Sequence, residues 1–250
     1  MINLYCDLDN TIIYSHRKTL NVPKRVAEFL NGAEQSYITE KTYGFLSNCR
    51  KFCFIPVTTR TFNQYERLKN LFDGIGCKHA LIQNGAILIT NGMIDEEWIA
   101  ESQDLVKDSK SEMERTVVLL TDLGATIKHI DEFLVYASAI EPSHIAMQIK
   151  SIVDTSLLHI FFDSRKVYCV PQAISKGNAV VRLTNKLKPD ITIGVGDSSN
   201  DISMLENVDF PIIPQSIQHY ISNINKVVVP QGQIISDVAC DEIEKILKSP

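Results

Sequence analysis

The sequence predicts an α/β protein: a doubly wound, mostly parallel core sheet carrying an inserted α+β domain. Three observations predict it. Nearly continuous apolar runs, such as 51–57 and 191–195, each end in a polar turn and are followed by a helical pattern, the rhythm of βα units buried on both faces. Between about 86 and 171 that rhythm stops, and helix, strand, strand occurs twice, as in an antiparallel sheet with helices on one face. From 172 the first rhythm returns. The expected domains are therefore 1–85 with 172–250 as the core, and 86–171 as the insert.

Bulk properties fit this picture. The chain has 250 residues, 44% hydrophobic and 22% charged, with a net charge of -5. That is a soluble globular composition, long enough for a substantial core. Lys and Arg are scattered, so neither nucleic acid nor an anionic membrane is an expected partner. No apolar run nears the roughly 20 residues of a membrane helix, and the opening residues do not read as a signal peptide. A cytoplasmic location is expected. The six cysteines lack zinc-site spacing and read as reduced residues, several of them in the core.

In chain order, Ile2 to Cys6 is an apolar strand. Val22 to Leu30 reads as a helix, with Pro23 at its start, Val26, Phe29 and Leu30 on one side and Gly32 past its end. A weaker helix follows over 39–48, then the strand 51–57 and a helix from Asn63 to Phe72, stopped at Asp73-Gly74. Ala80 to Ile82 is a short strand. Asn91-Gly92 signals a hairpin between 87–90 and 93–94. One long helix or two cover 96–123. Strands are expected at 125–130 and 133–140, a helix at 142–153, and strands at 157–162 and 166–171. The core resumes with a helix opening at Ser175-Lys176 and the strand 191–195. A helix then starts near Asp201, followed by short strands at 210–213 and 227–229 and a closing amphipathic helix over 233–247.

Several strand ends carry chemistry. After the first strand, Asp7 and Asp9 lie two residues apart, so on an extended segment they point the same way. Paired carboxylates repel unless a cation or a proton intervenes, and Mg²⁺ suits an all-oxygen donor set. One carboxylate can then attack while the other moves protons. Alone, Asp-Leu-Asp-Asn-Thr is equally a polar loop. Thr58 follows the strand 51–57 at a helix start, where an anion is favoured, although a helix-capping threonine would look the same. Asp197, Asn200 and Asp201 follow the strand 191–195, and Lys176 opens a core helix. In parallel sheets ligands bind beyond the carboxyl ends of the strands, so these sites can converge. The carboxylates suit Mg²⁺; Lys176, Thr58 and Asn200 suit phosphate oxygens.

Those residues, in that order, resemble the motifs of the haloacid dehalogenase superfamily. The match is to phosphohydrolases of the Cof-type branch, which have a Rossmann-like core and an α/β cap between the second and third motifs. Asp7-Leu8-Asp9-Asn10-Thr11 is similar to the first motif, Thr58 to the second, Lys176 to the third, and Gly196-Asp197-Ser198-Ser199-Asn200-Asp201 to the fourth. The resemblance implies that Asp7 is a nucleophile forming an aspartyl-phosphate and that Asp9 is the general acid and base. It implies Mg²⁺ held by Asp7, the Asp9 carbonyl and Asp197 with Asp201 in support, and Thr58, Lys176 and Asn200 gripping the phosphoryl group. The cap would select the leaving group.

The chain also departs from the pattern. It has Asn10 and Thr59 where many relatives have glycine. Arg60 either reaches the substrate or pairs with an acid. Asn84-Gly85 resembles the segment where such caps begin, which leaves Asn84 facing the site or serving as a hinge. Residues 206–214 are similar to those of mannosyl-3-phosphoglycerate phosphatases, with sucrose-phosphate phosphatases related. The expected activity is a Mg²⁺-dependent phosphatase acting on a small phosphorylated metabolite of the sugar-phosphate kind. A phosphomannomutase-like mutase, and a non-catalytic phosphoacceptor, are the alternatives. Oligomeric state is not indicated.

Overall fold

The computed structural model describes residues 1–248. Their backbone clusters into two compact units, Met1–Ile94 with Lys176 onward, and Asp95–Ser175.

The first unit begins with β1 (Ile2–Cys6) and the two-residue β2 (Tyr14–Ser15). Next comes a hairpin of β3 (Lys24–Leu30) and β4 (Ala33–Thr39). The helix expected over 22–30 is therefore a strand. Asn31 and Gly32 both adopt positive φ, 52° and 78°, which makes the two-residue turn of a hairpin. The pairing register shifts on both sides of Glu28. Such bulges break the period-two alternation, and the spacing of Val26, Phe29 and Leu30 mimics a helix as a result. Phe29 and Leu30 are in fact exposed, and Glu28 is buried.

Helix α1 (Glu40–Asn48) is capped by Thr39, whose side chain accepts the Thr42 N–H. After β5 (Phe52–Pro56) the expected single helix is two, α2 (Phe62–Glu66) and α3 (Lys69–Ile75), ended by left-handed Gly76 rather than at Gly74. Strand β6 (His79–Ile82) pairs antiparallel with β7 (Ile87–Thr90), which pairs with β8 (Met93–Ile94). The 91–92 hairpin thus stays with the first unit, and the second begins at Asp95 rather than near 86.

In the second unit, α4 (Glu96–Val106) and α5 (Lys110–Asp122) precede β9 (Thr126–Ile130) and β10 (Val135–Ser138). Then come α6 (Pro142–Lys150), β11 (Leu158–Asp163) and β12 (Lys166–Pro171). The sheet is antiparallel, in the order β11-β12-β10-β9. Val135, Ala137, Ile160, Val167 and Cys169 point to one face and pack with Leu120, Ile145 and Ile149 of the helices. Alternate residues Tyr136, Phe161 and Tyr168 stack on the other face, as a period of two requires.

The chain re-enters the first unit with α7 (Lys176–Leu187), β13 (Ile191–Val195), α8 (Ile202–Leu205), β14 (Phe210–Pro214), β15 (Val227–Val229) and α9 (Ile235–Ile246). The central sheet runs β15-β14-β13-β1-β5, every pair parallel. The protein is thus α/β, with a parallel central sheet and additional antiparallel sheets. Its core strands are buried on both faces: Leu4, Tyr5, Ile55, Ile193, Val195 and Ile212 are all inaccessible. All six cysteines are free thiols. No described helix is long and apolar enough to cross a membrane.

Candidate active site

Strand order reverses between β1 and β13, and a parallel sheet opens a crevice at such a point. Three strands end there at one level. Cys6 is level with Val195 on one side and Pro56 on the other. The Asp7 amide donates to the Val195 carbonyl at 2.9 Å, and the Val57 amide to the Cys6 carbonyl at 2.7 Å. After Asp7, the Leu8 carbonyl accepts from the amides of Thr11, Ile12 and Ile13, with Asn10 left-handed at φ 65°. Asparagine tolerates that conformation better than most residues.

Three carboxylates gather at this edge. Asp7, Asp197 and Asp201 each offer an oxygen within 4.8 Å of the others. The Lys176 ammonium, 2% exposed, reaches Asp7 Oδ1 at 2.5 Å and Asp201 Oδ1 at 2.6 Å. Its helix comes close because residue 177 is glycine: a Cβ there would lie 2.4 Å from the Ser203 carbonyl oxygen. The other Asp201 oxygen accepts from the Asp197 and Ser198 amides and from the Ser198 hydroxyl, at 2.9–3.0 Å. Asp201 is thereby filled by hydrogen bonds and shapes the 196–200 loop. Gly196 permits this, since a Cβ would sit 2.5 Å from that of Asp201. Asp197 is half-buried and accepts from the Thr11 hydroxyl at 3.0 Å.

The electrostatics are unbalanced. Burial pushes the Asp7 carboxyl well above the usual carboxylate range; Lys176 pulls it down, while Asp201 and Asp197 push it further up. For Lys176 burial disfavours the charge, but Asp201 and Asp7 outweigh it and raise its pKa, so the ammonium is retained. With all three ionised, the carboxylates facing this one ammonium carry two negative charges in excess, and that excess adds to burial in raising the Asp7 pKa. Hard oxygen donors with that excess fit a divalent ion such as Mg²⁺.

A second group surrounds Asp9. Its carboxylate takes two parallel bonds from Arg60, Nε to Oδ2 and Nη2 to Oδ1, both 2.8 Å. Arg60 Nη1 donates to Glu28 Oε2 at 3.0 Å, and Arg67 Nε to Glu28 Oε1 at 2.6 Å. Burial opposes the Arg60 charge, but Asp9 and Glu28 raise its pKa and keep it protonated. Of the two readings of Arg60, the geometry realises pairing with acids. Glu28 and Arg67 were missed from sequence; the overlooked Asn31-Gly32 turn was the signal that 24–30 is a strand.

Thr58 is buried and does not cap a helix. Thr61 does so for α2, its amide donating to the Gln64 side chain at 3.0 Å. Thr58 Oγ1 accepts from the Arg60 amide at 3.2 Å, and the Thr58 carbonyl accepts from the Asn84 amide at 2.9 Å. Asn84, left-handed at φ 60°, accepts through Oδ1 from Asn200 Nδ2 at 3.2 Å. Asp7, Asp9, Thr58, Arg60, Asn84, Lys176, Asp197, Asn200 and Asp201 all lie in the first unit, and hydrogen bonds link them into two networks.

Known proteins agree with this frame. The family of haloacid dehalogenase-like hydrolases matches residues 54–233, and the chain belongs to that family. A phosphoglycolate phosphatase from Sulfurisphaera tokodaii is 25% identical over 202 residues, covering 78% of this chain and 75% of its own length. Among solved structures, a subclass IIB sugar phosphatase superposes with a TM-score of 0.69 at 11% identity, covering 99% of each chain. The sucrose-phosphatase of Synechocystis sp. PCC6803 gives 0.61 at 18% identity, covering 98% of this chain and 97% of its own. At those identities the structures speak for the shared fold.

Proposed function

We propose that this phosphatase hydrolyses a small phosphorylated metabolite of the sugar-phosphate class, with Mg²⁺, through an aspartyl-phosphate on Asp7. The observation that carries the reading is the buried Lys176 bridging Asp7 and Asp201 beside Asp197. It holds a carboxylate in place where an anion must approach. The names of the relatives, phosphoglycolate and sugar phosphatases, support the substrate class.

An Asp7 oxygen forms a bond to phosphorus as the bond to the leaving oxygen breaks, and the Asp9 carboxyl gives that oxygen its proton. Water then bonds to phosphorus and the Asp7–phosphorus bond breaks, with Asp9 taking the proton of the water. Lys176 offsets the repulsion between Asp7 and the phosphate dianion. Thr58 and Asn200 orient the phosphoryl oxygens, and Asn84 positions Asn200. Mg²⁺, held by Asp7, Asp197 and the Asp9 carbonyl and supported by Asp201, would neutralise charge on the transferring group. The Asp95–Ser175 unit is proposed as the cap that selects the leaving group.

The test is phosphate release from a panel of phosphorylated sugars, nucleotides and glycolate, with Mg²⁺ and with EDTA. Mg²⁺-dependent release from sugar phosphates or phosphoglycolate supports the reading. Isomerisation of a sugar phosphate without net release would replace it with a mutase, and stable labelling without turnover with a phosphoacceptor.

A further inference from the structure

The Asp9 carboxylate is half exposed: its side chain keeps 52% of its accessible surface, against 10% for Arg60 and none for Glu28. Left to itself, an exposed aspartate samples several rotamers. Here it is gripped by a fork whose two bonds fix the carboxylate plane as well as its position. The fork is fixed from behind. Arg60 Nη1 donates both to Glu28 and to the Gln64 carbonyl at 3.2 Å, and Glu28 is held in turn by Arg67 and by the Ser36 hydroxyl at 3.2 Å.

Glu28 owes its place to the backbone. The register of β3 against β4 shifts between Val26 and Glu28 and again between Glu28 and Phe29. Bulges of this kind re-aim a side chain near a site, and here two neighbours, Ala27 and Glu28, are buried in succession. A buried carboxylate is costly unless paired. The hairpin therefore carries Glu28 inward onto two arginines.

We propose that Arg60, anchored by Glu28, is a positioning residue that orients the Asp9 carboxyl for proton transfer to the leaving oxygen. This rests on the phosphatase reading above, in which Asp9 is the acid. Arg60 acts through Asp9 and not on the phosphate, which is the work of Lys176, Thr58 and Asn200. Lysine cannot replace it, because a single ammonium has no fork to set the carboxylate plane.

The experiment compares kcat/KM for p-nitrophenyl phosphate and phenyl phosphate in wild-type protein, Arg60→Lys, Arg60→Ala and Glu28→Gln. p-Nitrophenolate leaves without a proton, whereas phenolate, with a pKa of about 10, benefits from one. Misplacing a group by an ångström costs about 10²-fold, so Arg60→Ala should lose about 10²-fold on phenyl phosphate and only a few-fold on p-nitrophenyl phosphate. Arg60→Lys and Glu28→Gln should show the same skew, smaller in size. In an Asp9→Asn background Arg60→Lys should add no further skew, because the two act as one unit. A uniform loss on both esters in Arg60→Lys and Glu28→Gln would overturn the proposal. A wild-type protein that releases phosphate from neither ester nor from any member of the phosphate panel above would overturn the phosphatase reading itself.

Discussion

Lys176→Met separates the charge of Lys176 from its bulk. Methionine fills much of the lysine stem and removes the ammonium that meets Asp7 and Asp201. Three buried or half-buried carboxylates are then left facing one another with no cation. Breaking a buried ion pair by removing one partner costs about 3–5 kcal/mol. For a protein of this size, about 2–4 °C of Tm per kcal/mol turns that into a fall of about 6–20 °C.

The loss should depend on pH with a definite sign. In the folded protein the Asp7 carboxyl sits well above its ordinary range, chiefly through burial. A raised carboxyl pKa stabilises the fold below the unfolded pKa and loses that contribution as pH rises through the folded pKa. The variant lacks the cation that pulls Asp7 back down, so its deficit should be largest near pH 8 and shrink toward pH 5. The assay is thermal unfolding in EDTA at both pH values, followed by Mg²⁺ titration at pH 8. A Lys176→Met protein melting within about 2 °C of wild type at pH 8 in EDTA, under 1 kcal/mol on the same scale, would refute the electrostatic account of the cluster.

Other consequences follow from the same geometry. Wild-type protein should gain about 2.7 kcal/mol of stability at a hundredfold excess of Mg²⁺ over Kd, read by calorimetry as a rise in Tm. Asp201→Asn should weaken Mg²⁺ about 10–100-fold by disturbing the loop that presents Asp197, measured by isothermal titration. Gly196→Ala, whose Cβ would lie 2.5 Å from that of Asp201, should destabilise the protein by about 1–3 kcal/mol in urea. Thr58→Ala should lower kcat/KM by about 10–150-fold, the worth of one hydrogen bond to a charged group, and should also lower the melting temperature, because the buried Arg60 amide loses its acceptor.

The parallel core was legible because its strands are buried on both faces and end abruptly in polar turns. That punctuation puts Asp7, Thr58 and Asp197 at strand ends and Lys176 at the start of a helix, and only their occurrence together, in the order of a known motif set, marks them as a site. What the pattern hid lies where periodicity fails. Bulges beside Glu28 make Val26, Phe29 and Leu30 read as a helical stripe, although the Asn31-Gly32 turn contradicts it. The partners of Arg60 are hidden for the same reason, since the bulge that turns Glu28 inward leaves no mark in the periodicity. The 91–92 hairpin was visible, but its membership of the first unit depends on antiparallel pairing with β6, which no local signal announces.

Asp7→Asn bears most directly on the central claim. The variant keeps the shape of the side chain and removes the attacking carboxylate. It should fold as wild type does, and under single-turnover conditions with Mg²⁺ it should neither become phosphorylated nor release phosphate from a substrate the wild type hydrolyses. Phosphate release at the wild-type rate from Asp7→Asn would contradict the account.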